Sequence, residues 1–185
     1  LWTGATNTSW NLGSNWADGN VPTSSVNVII PATSINDPTV NITNAECGYL
    51  TIEDGASLFF NNGKKLTVNG KLDWDGMVTM STSSILDVNG EIELSSTSTE
   101  NILGGEIHCG GDWDAANASL FTPSGGGTVI FDAASEVGIL AHPSSNFDNI
   151  QLNGDIYQAS HLTVKGSINI TGSYDWDMNA KYLYL

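Results

Sequence analysis

Apolar and polar residues alternate along most of this chain, and one alternating block recurs as apolar–x–apolar–x–Gly–x–apolar–x–apolar. It reads Leu66-Thr-Val-Asn-Gly-Lys-Leu-Asp-Trp74 and Leu86-Asp-Val-Asn-Gly-Glu-Ile-Glu-Leu94. It returns as Ile107-His-Cys-Gly-Gly-Asp-Trp113, Ile150-Gln-Leu-Asn-Gly-Asp-Ile156 and Leu162-Thr-Val-Lys-Gly-Ser-Ile-Asn-Ile170. Starts at 66, 86 and 107 set a period of 20 to 21 residues, and a fixed period of that size marks a stacked repeat. Asn-Gly between alternating runs is also the signature of a two-residue hairpin. That turn would oppose Val68 to Lys71 and Leu66 to Asp73, mixing core and solvent residues on each face. If the chain instead runs on through the glycine, residues 66, 68, 70, 72 and 74 share one face. The pattern therefore predicts an all-β fold, a right-handed parallel β-helix with coils of about 20 residues. Its glycines are expected at inward corners too tight for a side chain.

Strands are predicted at 26–30, 39–43, 49–53, 57–60, 65–68, 71–74, 77–80, 85–88 and 91–95. Further strands are predicted at 128–131, 137–140, 149–152, 162–164, 167–170 and 181–185. Ser95–Glu100 and Ala115–Gly127 read as polar loops leaving the coils. Residues 1–25 differ from the rest, with Trp2, Trp10 and Trp16 set among Gly, Asn, Ser and Asp. An open solenoid end is a row of unpaired backbone groups that needs a cap. The expected organisation is an N-terminal cap over 1–25 and one solenoid domain over 26–185. At the other end, Lys181-Tyr-Leu-Tyr-Leu185 alternates like a strand without a polar cap. This predicts a longer repeat array, or self-association through Tyr182, Leu183, Tyr184 and Leu185.

Charge narrows the function. The chain of 185 residues has twenty acidic residues, five lysines and no arginine, a net charge of −15. Nucleic acids and anionic membrane surfaces require a basic footprint that is absent here. Apolar content of 40% without any long apolar run points away from a membrane span. Cys47 and Cys109 lie about three coils apart, so ~14 Å at ~4.8 Å per coil. A disulfide needs Cα atoms within ~7 Å, so both are expected as buried thiols.

Asp-Trp-Asp occurs at 73–75, 112–114 and 175–177, and on a strand the two acids of each share the outer face. Stacked carboxylates repel, and Ca²⁺ held by Asp73, Asp75, Asp112 and Asp114 would relieve them. The alternative is solvated acids flanking a core tryptophan. His108, His142 and His161 show no metal-ligand spacing. No nucleophile elbow, phosphate loop or triad order is present, and an arginine-free acidic chain is a poor uronate lyase. The expectation is a protein without enzymatic activity, although twenty acids leave many carboxylate pairs open. Exposed aromatics that could stack on sugars are Tyr49, Phe59 and Tyr157.

One pattern is more specific. Trp2-Thr-Gly, Trp10, Asn15-Trp16, Gly19, Pro22 and Val26-x-Val28-x-Ile30-Pro31 resemble the start of large secreted surface proteins of Bacteroidetes-type bacteria. Phe121-Thr-Pro-x-Gly-Gly-Gly-Thr-Val-Ile-Phe131 and Asn146-Phe-x-Asn-Ile-x-Leu152 resemble their internal repeats. The chain is also more weakly similar to the G8 type of extracellular domain. The resemblance implies export, often by a type IX route with a sorting domain further downstream, and a solenoid displayed on the cell surface. It carries no catalytic residues. The expected function is an extracellular structural or adhesive module, self-assembling end to end into a fibre or surface layer. Its partners would be its own repeats or copies. A carbohydrate-binding module of a secreted polysaccharide-degrading system is the alternative.

Overall fold

The computed structural model describes residues 1–185. The alternation becomes twenty-one short strands without an α-helix, the one helical turn being 3-10 at Gly13–Asn15. The first coil contains β1 (Val28–Ile30), β2 (Thr39–Val40) and β3 (Ala45–Cys47). The second contains β4 (Leu50–Ile52), β5 (Ser57–Phe60) and β6 (Lys65–Val68), and the third β7 (Leu72–Trp74), β8 (Met77–Met80) and β9 (Ile85–Val88). The fourth contains β10 (Ile92–Leu94), β11 (Thr99–Ile102) and β12 (Glu106–Cys109). Two coils then lack a middle strand: β13 (Trp113–Ala115) leads to β14 (Thr128–Phe131), and β15 (Val137–Ala141) to β16 (Asn149–Leu152). The triplet resumes with β17 (Ile156–Gln158), β18 (Leu162–Thr163) and β19 (Ile168–Ile170), followed by β20 (Trp176–Asp177) and β21 (Leu183–Tyr184).

All pairings between these strands are parallel and run between coils, never within one. The first face is the ladder β1-β4-β7-β10-β13-β15-β17-β20, and the third runs from β3 through β6, β9, β12, β14 and β16 to β19. The second face, β2-β5-β8-β11, is interrupted and resumes as β18-β21. The result is a β-solenoid of about 7 turns with about 21 residues per turn. At ~4.8 Å per coil it is a rod roughly 35 Å long.

Parity through the glycines holds. Leu66, Val68, Leu72 and Trp74 are buried, as are Leu86, Val88, Ile92 and Leu94, within one cluster of 42 side chains. The reason for the glycines is different from the expected one. A Cβ on Gly90 would lie 2.8 Å from the carbonyl carbon and oxygen of Gly70 one coil back, and a Cβ on Gly111 would lie 2.6 Å from the carbonyl carbon of Gly90. The crowding is along the axis, from backbone to backbone, because the corner brings successive coils together more closely than a side chain allows.

Two predicted segments need correction. The stretch 95–100 is not one loop, since β11 begins at Thr99 and pairs residue for residue with β8. Its apolar alternation is hidden because an acid, Glu100, occupies the inward register of Leu58 and Val78. The strand predicted over 39–43 ends at Val40 as β2, and β3 (Ala45–Cys47), beyond the following corner, is an additional strand that the pattern did not predict. Cys47, Val68, Val88 and Cys109 form consecutive rungs of one inward row, so the two buried free thiols are three coils apart.

Residues 1–27 close the first coil. The Trp2 N–H donates to Ile29 O and the Trp10 N–H to Thr39 O, while the Thr39 N–H donates to Thr8 O. The outer edges of β1 and β2 are thereby occupied. Trp16 lies edge-on between Trp2 and Trp10 at centroid distances of 4.9 Å, and its Nε1 donates to Trp10 O. All three rings are buried. Asn15 fixes the turn, its Oδ1 accepting from the N–H groups of Thr6 and Asn7. The last coil is different: Ile168, Ile170, Trp176 and Leu183 stand in register with buried Ile150, Leu152, Ile156 and Leu162, yet none is buried.

Candidate functional site

Outward positions of the three faces carry different chemistry. The first face presents Asp73, Glu93 and Asp114 in one row, beside a row of Tyr49, Lys71, Glu91 and Asp112. The third presents Glu46, Thr67, Asp87 and His108 in one row and Lys65, Ile85 and Glu106 in the next. The second face presents Thr39, Phe59, Thr79 and Asn101 beside Ser57, Met77 and Thr99, and further on Thr163 and Tyr184. No Asp, Glu or Lys stands outward on a second-face strand. In a chain of net charge −15, one face of three is neutral and set with hydroxyl, amide and aromatic groups.

The acids of the first face are held by protein partners. Lys71 Nζ lies 3.1 Å from Asp73 and 3.6 Å from Glu91 and bonds Glu93, so one ammonium bridges three carboxylates. The hydrogen bond to Glu93 raises the lysine's pKa, with Asp73 and Glu91 adding to it. Asp112 Oδ1 accepts from the Gly138 N–H at 2.7 Å and Asp114 Oδ1 from the Ala116 N–H at 3.0 Å. Asp75 lies at the corner after β7, beyond the row of Asp73. The four aspartates do not converge, and no cluster of three or more His, Cys, Asp or Glu side chains is arranged to hold a metal ion.

Tyr49 and Tyr157 are exposed on the first face, five rungs apart, and each covers a glycine. The Tyr49 ring lies where a Cβ of Gly70 would be, and the Tyr157 hydroxyl is 2.6 Å from the Cβ position of Gly138. Such cross-strand cover of glycine by an aromatic ring supports the sheet. Phe59 is half-buried on the second face, so the three predicted aromatics form no common platform.

The second face breaks at the fifth coil. Residues 116–127 arch over it with Ala118 and Phe121 buried beneath, and no strand pairs with the free side of β11. Glu100 takes that place, with Oε1 accepting from the Thr122 N–H at 3.0 Å while buried Oε2 has no partner from the protein. Burial pushes the Glu100 pKa up to about 7, opposed by the hydrogen bonds from the Thr122 and Glu100 N–H groups. Between β11 and Leu120–Gly125 lies an open cleft of about 500 Å³. Thr99, Glu100, Asn101, Thr122 and Ser124 line it, with Leu103 and Leu120 exposed at its rims.

Two rungs of the resumed second face form an aromatic shelf. His161 pairs with Tyr182 at 4.9 Å between ring centroids, and Tyr182 with Tyr184 at 6.2 Å. The Tyr182 N–H donates to His161 Nδ1, which fixes the imidazole. Both tyrosines project outward, being 64% and 52% exposed, whereas Leu183 between them turns inward. The expected self-association strand is thus divided: stacking along the axis involves Leu183 and the backbone but leaves the tyrosine rings facing solvent. Leu185 is 88% exposed and belongs to no strand. Sequence reading missed His161, Glu100 and the cleft residues, although the alternation alone places Thr99, Asn101 and Tyr184 outward.

On the third face His108 Nδ1 pairs with Asp132 Oδ2 at 2.7 Å, and its Nε2 is 3.5 Å from Glu106 Oε2. The Asp132 bond raises the histidine's pKa, against partial burial.

Residues 1–101, more than half the chain, match the model of a family described as a domain of unknown function, DUF8693, and the chain belongs to that family. No curated protein and no solved structure matches it.

Proposed function

We propose that the chain is a rigid extracellular module of a bacterial cell surface, a rod closed at its N-terminal end that pairs with a second copy through its last coil. The observation that supports this reading is the pair of parallel ladders that run along the first and third faces. Trp2, Trp10 and Trp16 seal the first coil, while Ile168, Ile170, Trp176 and Leu183 hold inward register without being buried. Three of the four are already partly buried, so covering each is worth less than the about 1.5–3 kcal/mol of burying a fully exposed side chain, and the parallel ladders supply a preformed edge. Stiffness follows from the ladders of the first and third faces, which continue through every coil that possesses them. Placement outside the cell rests on the resemblance of the tryptophan-rich start and the Phe121–Phe131 segment to secreted surface proteins.

Sedimentation and light scattering over a range of concentrations test the stacking. The expected result is pairing through the last coil, abolished by Ile170→Lys and unaffected by Tyr49→Ala. Because the first coil is closed, assembly should stop at pairs rather than grow into fibres. A monomer at every concentration, with amides of 168–184 as protected from exchange as those of 85–109, would overturn it. Cleavage of the native protein by protease added to intact cells tests the location.

A further inference from the structure

We infer that the second face binds a neutral glycan strand, seated on the His161–Tyr182–Tyr184 shelf and running along the rod into the cleft between β11 and Leu120–Gly125. This goes beyond the spacer role and does not depend on stacking of the last coil.

Charge comes first. Acids are distributed over the outward rows of the first and third faces and absent from those of the second. Glu100, the one acid in the second-face strands, stands in the inward register and brings a single carboxyl to the floor of the cleft, where its Oε1 is held by the Thr122 N–H. A face kept neutral on a chain of net charge −15 suits an uncharged partner. The remainder of the molecule repels uronates, sulfated glycans and nucleic acids.

Ring chemistry comes second. A sugar ring has an apolar C–H face and a hydroxyl rim, and Tyr supplies a rigid apolar face with a polar tip. Tyr182 and Tyr184 stand at an interplanar angle of 49° with centroids 6.2 Å apart, a shallow trough rather than a closed stack. Neither ring is used in packing the core, and a further coil would extend the shelf instead of covering it, because both rings point away from the axis. Thr163, directly beside Tyr184 in the ladder, adds a hydroxyl at the trough's edge.

The cleft supplies the third element. Its volume of about 500 Å³ lies within the range of small-ligand sites. Hydroxyls of Thr99, Thr122 and Ser124 and the amide of Asn101 suit a hydroxyl rim, and Leu103 and Leu120 suit the C–H faces. The site occurs at the one interruption of the second-face ladder, where the local rule of the repeat is broken. Successive rungs rise ~4.8 Å, close to the length of one sugar unit, so a chain lying along the axis meets a similar row of groups at each coil.

The test is native gel electrophoresis with soluble polysaccharide cast in the gel: laminarin, galactomannan, starch or hydroxyethyl cellulose as neutral probes, alginate and polygalacturonate as charged ones. The expected result is retardation by at least one neutral probe and by neither charged one. In Tyr182→Ala/Tyr184→Ala that retardation weakens about ten-fold, while Tyr49→Ala/Tyr157→Ala on the first face retains it. The affected sites are exposed, and unchanged melting of both variants shows that folding is intact. Retardation by no neutral probe, or equal loss in the two double variants, would overturn the inference. Association between copies that disappears only in Tyr182→Ala/Tyr184→Ala would also overturn it, in favour of a homotypic contact. Stacking through the last coil is read by light scattering and Ile170→Lys, so either reading can fail alone.

Discussion

Glu100→Gln isolates the cost of an acid placed in a core register. In the folded chain the Glu100 pKa is pushed from the ordinary 4.5 up to about 7, first by burial. Below pH 4.5 the carboxyl is neutral folded or unfolded and costs nothing. As pH rises towards 7 the unfolded chain ionises freely while the folded one resists, so the stability present at low pH is lost through that window. If the whole gap acted on folding it would amount to about 3 kcal/mol. Glu100 is only half-buried, and solvent screening reduces the figure to about 1–2 kcal/mol. Gln keeps the shape and an oxygen for the Thr122 N–H but has no charge to bury.

Glu100→Gln is therefore expected to match the parent at pH 5 to within a few tenths of a kcal/mol, and to be more stable by about 1–2 kcal/mol at pH 8. Urea unfolding followed by tryptophan fluorescence at pH 5, 6.5 and 8 measures this. Removing any acid also lowers the net charge of −15, so Glu46→Gln, exposed on the third face, is the control. A gain at pH 8 that Glu46→Gln reproduces would assign the effect to general repulsion. A loss of stability at all three pH values would refute the reasoning, because it would make the ionised carboxylate a net stabiliser of the 116–127 arch.

Gly90→Ala directs a methyl group at the Gly70 backbone, which cannot move without parting two coils; a loss of about 1–3 kcal/mol is expected in urea unfolding. Gly63→Ala meets no neighbour, so its loss reflects only the strain of φ +66°, whereas a Gly90→Ala variant as stable as the parent would remove the axial-contact explanation. His108, whose pKa is raised chiefly by Asp132, should titrate above 6.5 by imidazole NMR and fall back in Asp132→Asn. The stabilising contribution of its charged form is fully present below pH 6.5 and lost as pH rises through the folded value, so parent and Asp132→Asn should converge in stability at alkaline pH.

The scaffold was legible because its signal is one-dimensional. Parity through Gly70, Gly90 and Gly111 decides between hairpin and coil, and the period alone puts Cys47 three rungs from Cys109. The neutral face was not legible, because it consists of residues about 20 apart that only the exact register aligns. Phe59, Thr79 and Asn101 are unremarkable singly and form a row only once β5, β8 and β11 are paired. The acids misled for the same reason: Asp73 and Asp112 looked like candidate ligands until the rungs placed Lys71 against Asp73, Glu91 and Glu93. Glu100 broke the alternation and made a strand look like a loop. In a solenoid the core follows from spacing along the chain, whereas the surface is set by spacing across coils, which insertions such as the 116–127 arch shift without disturbing the core. The outward rows can therefore be altered independently of the fold. A neutral strip across six strands, on a chain this acidic, is then a feature of the surface that folding alone does not require.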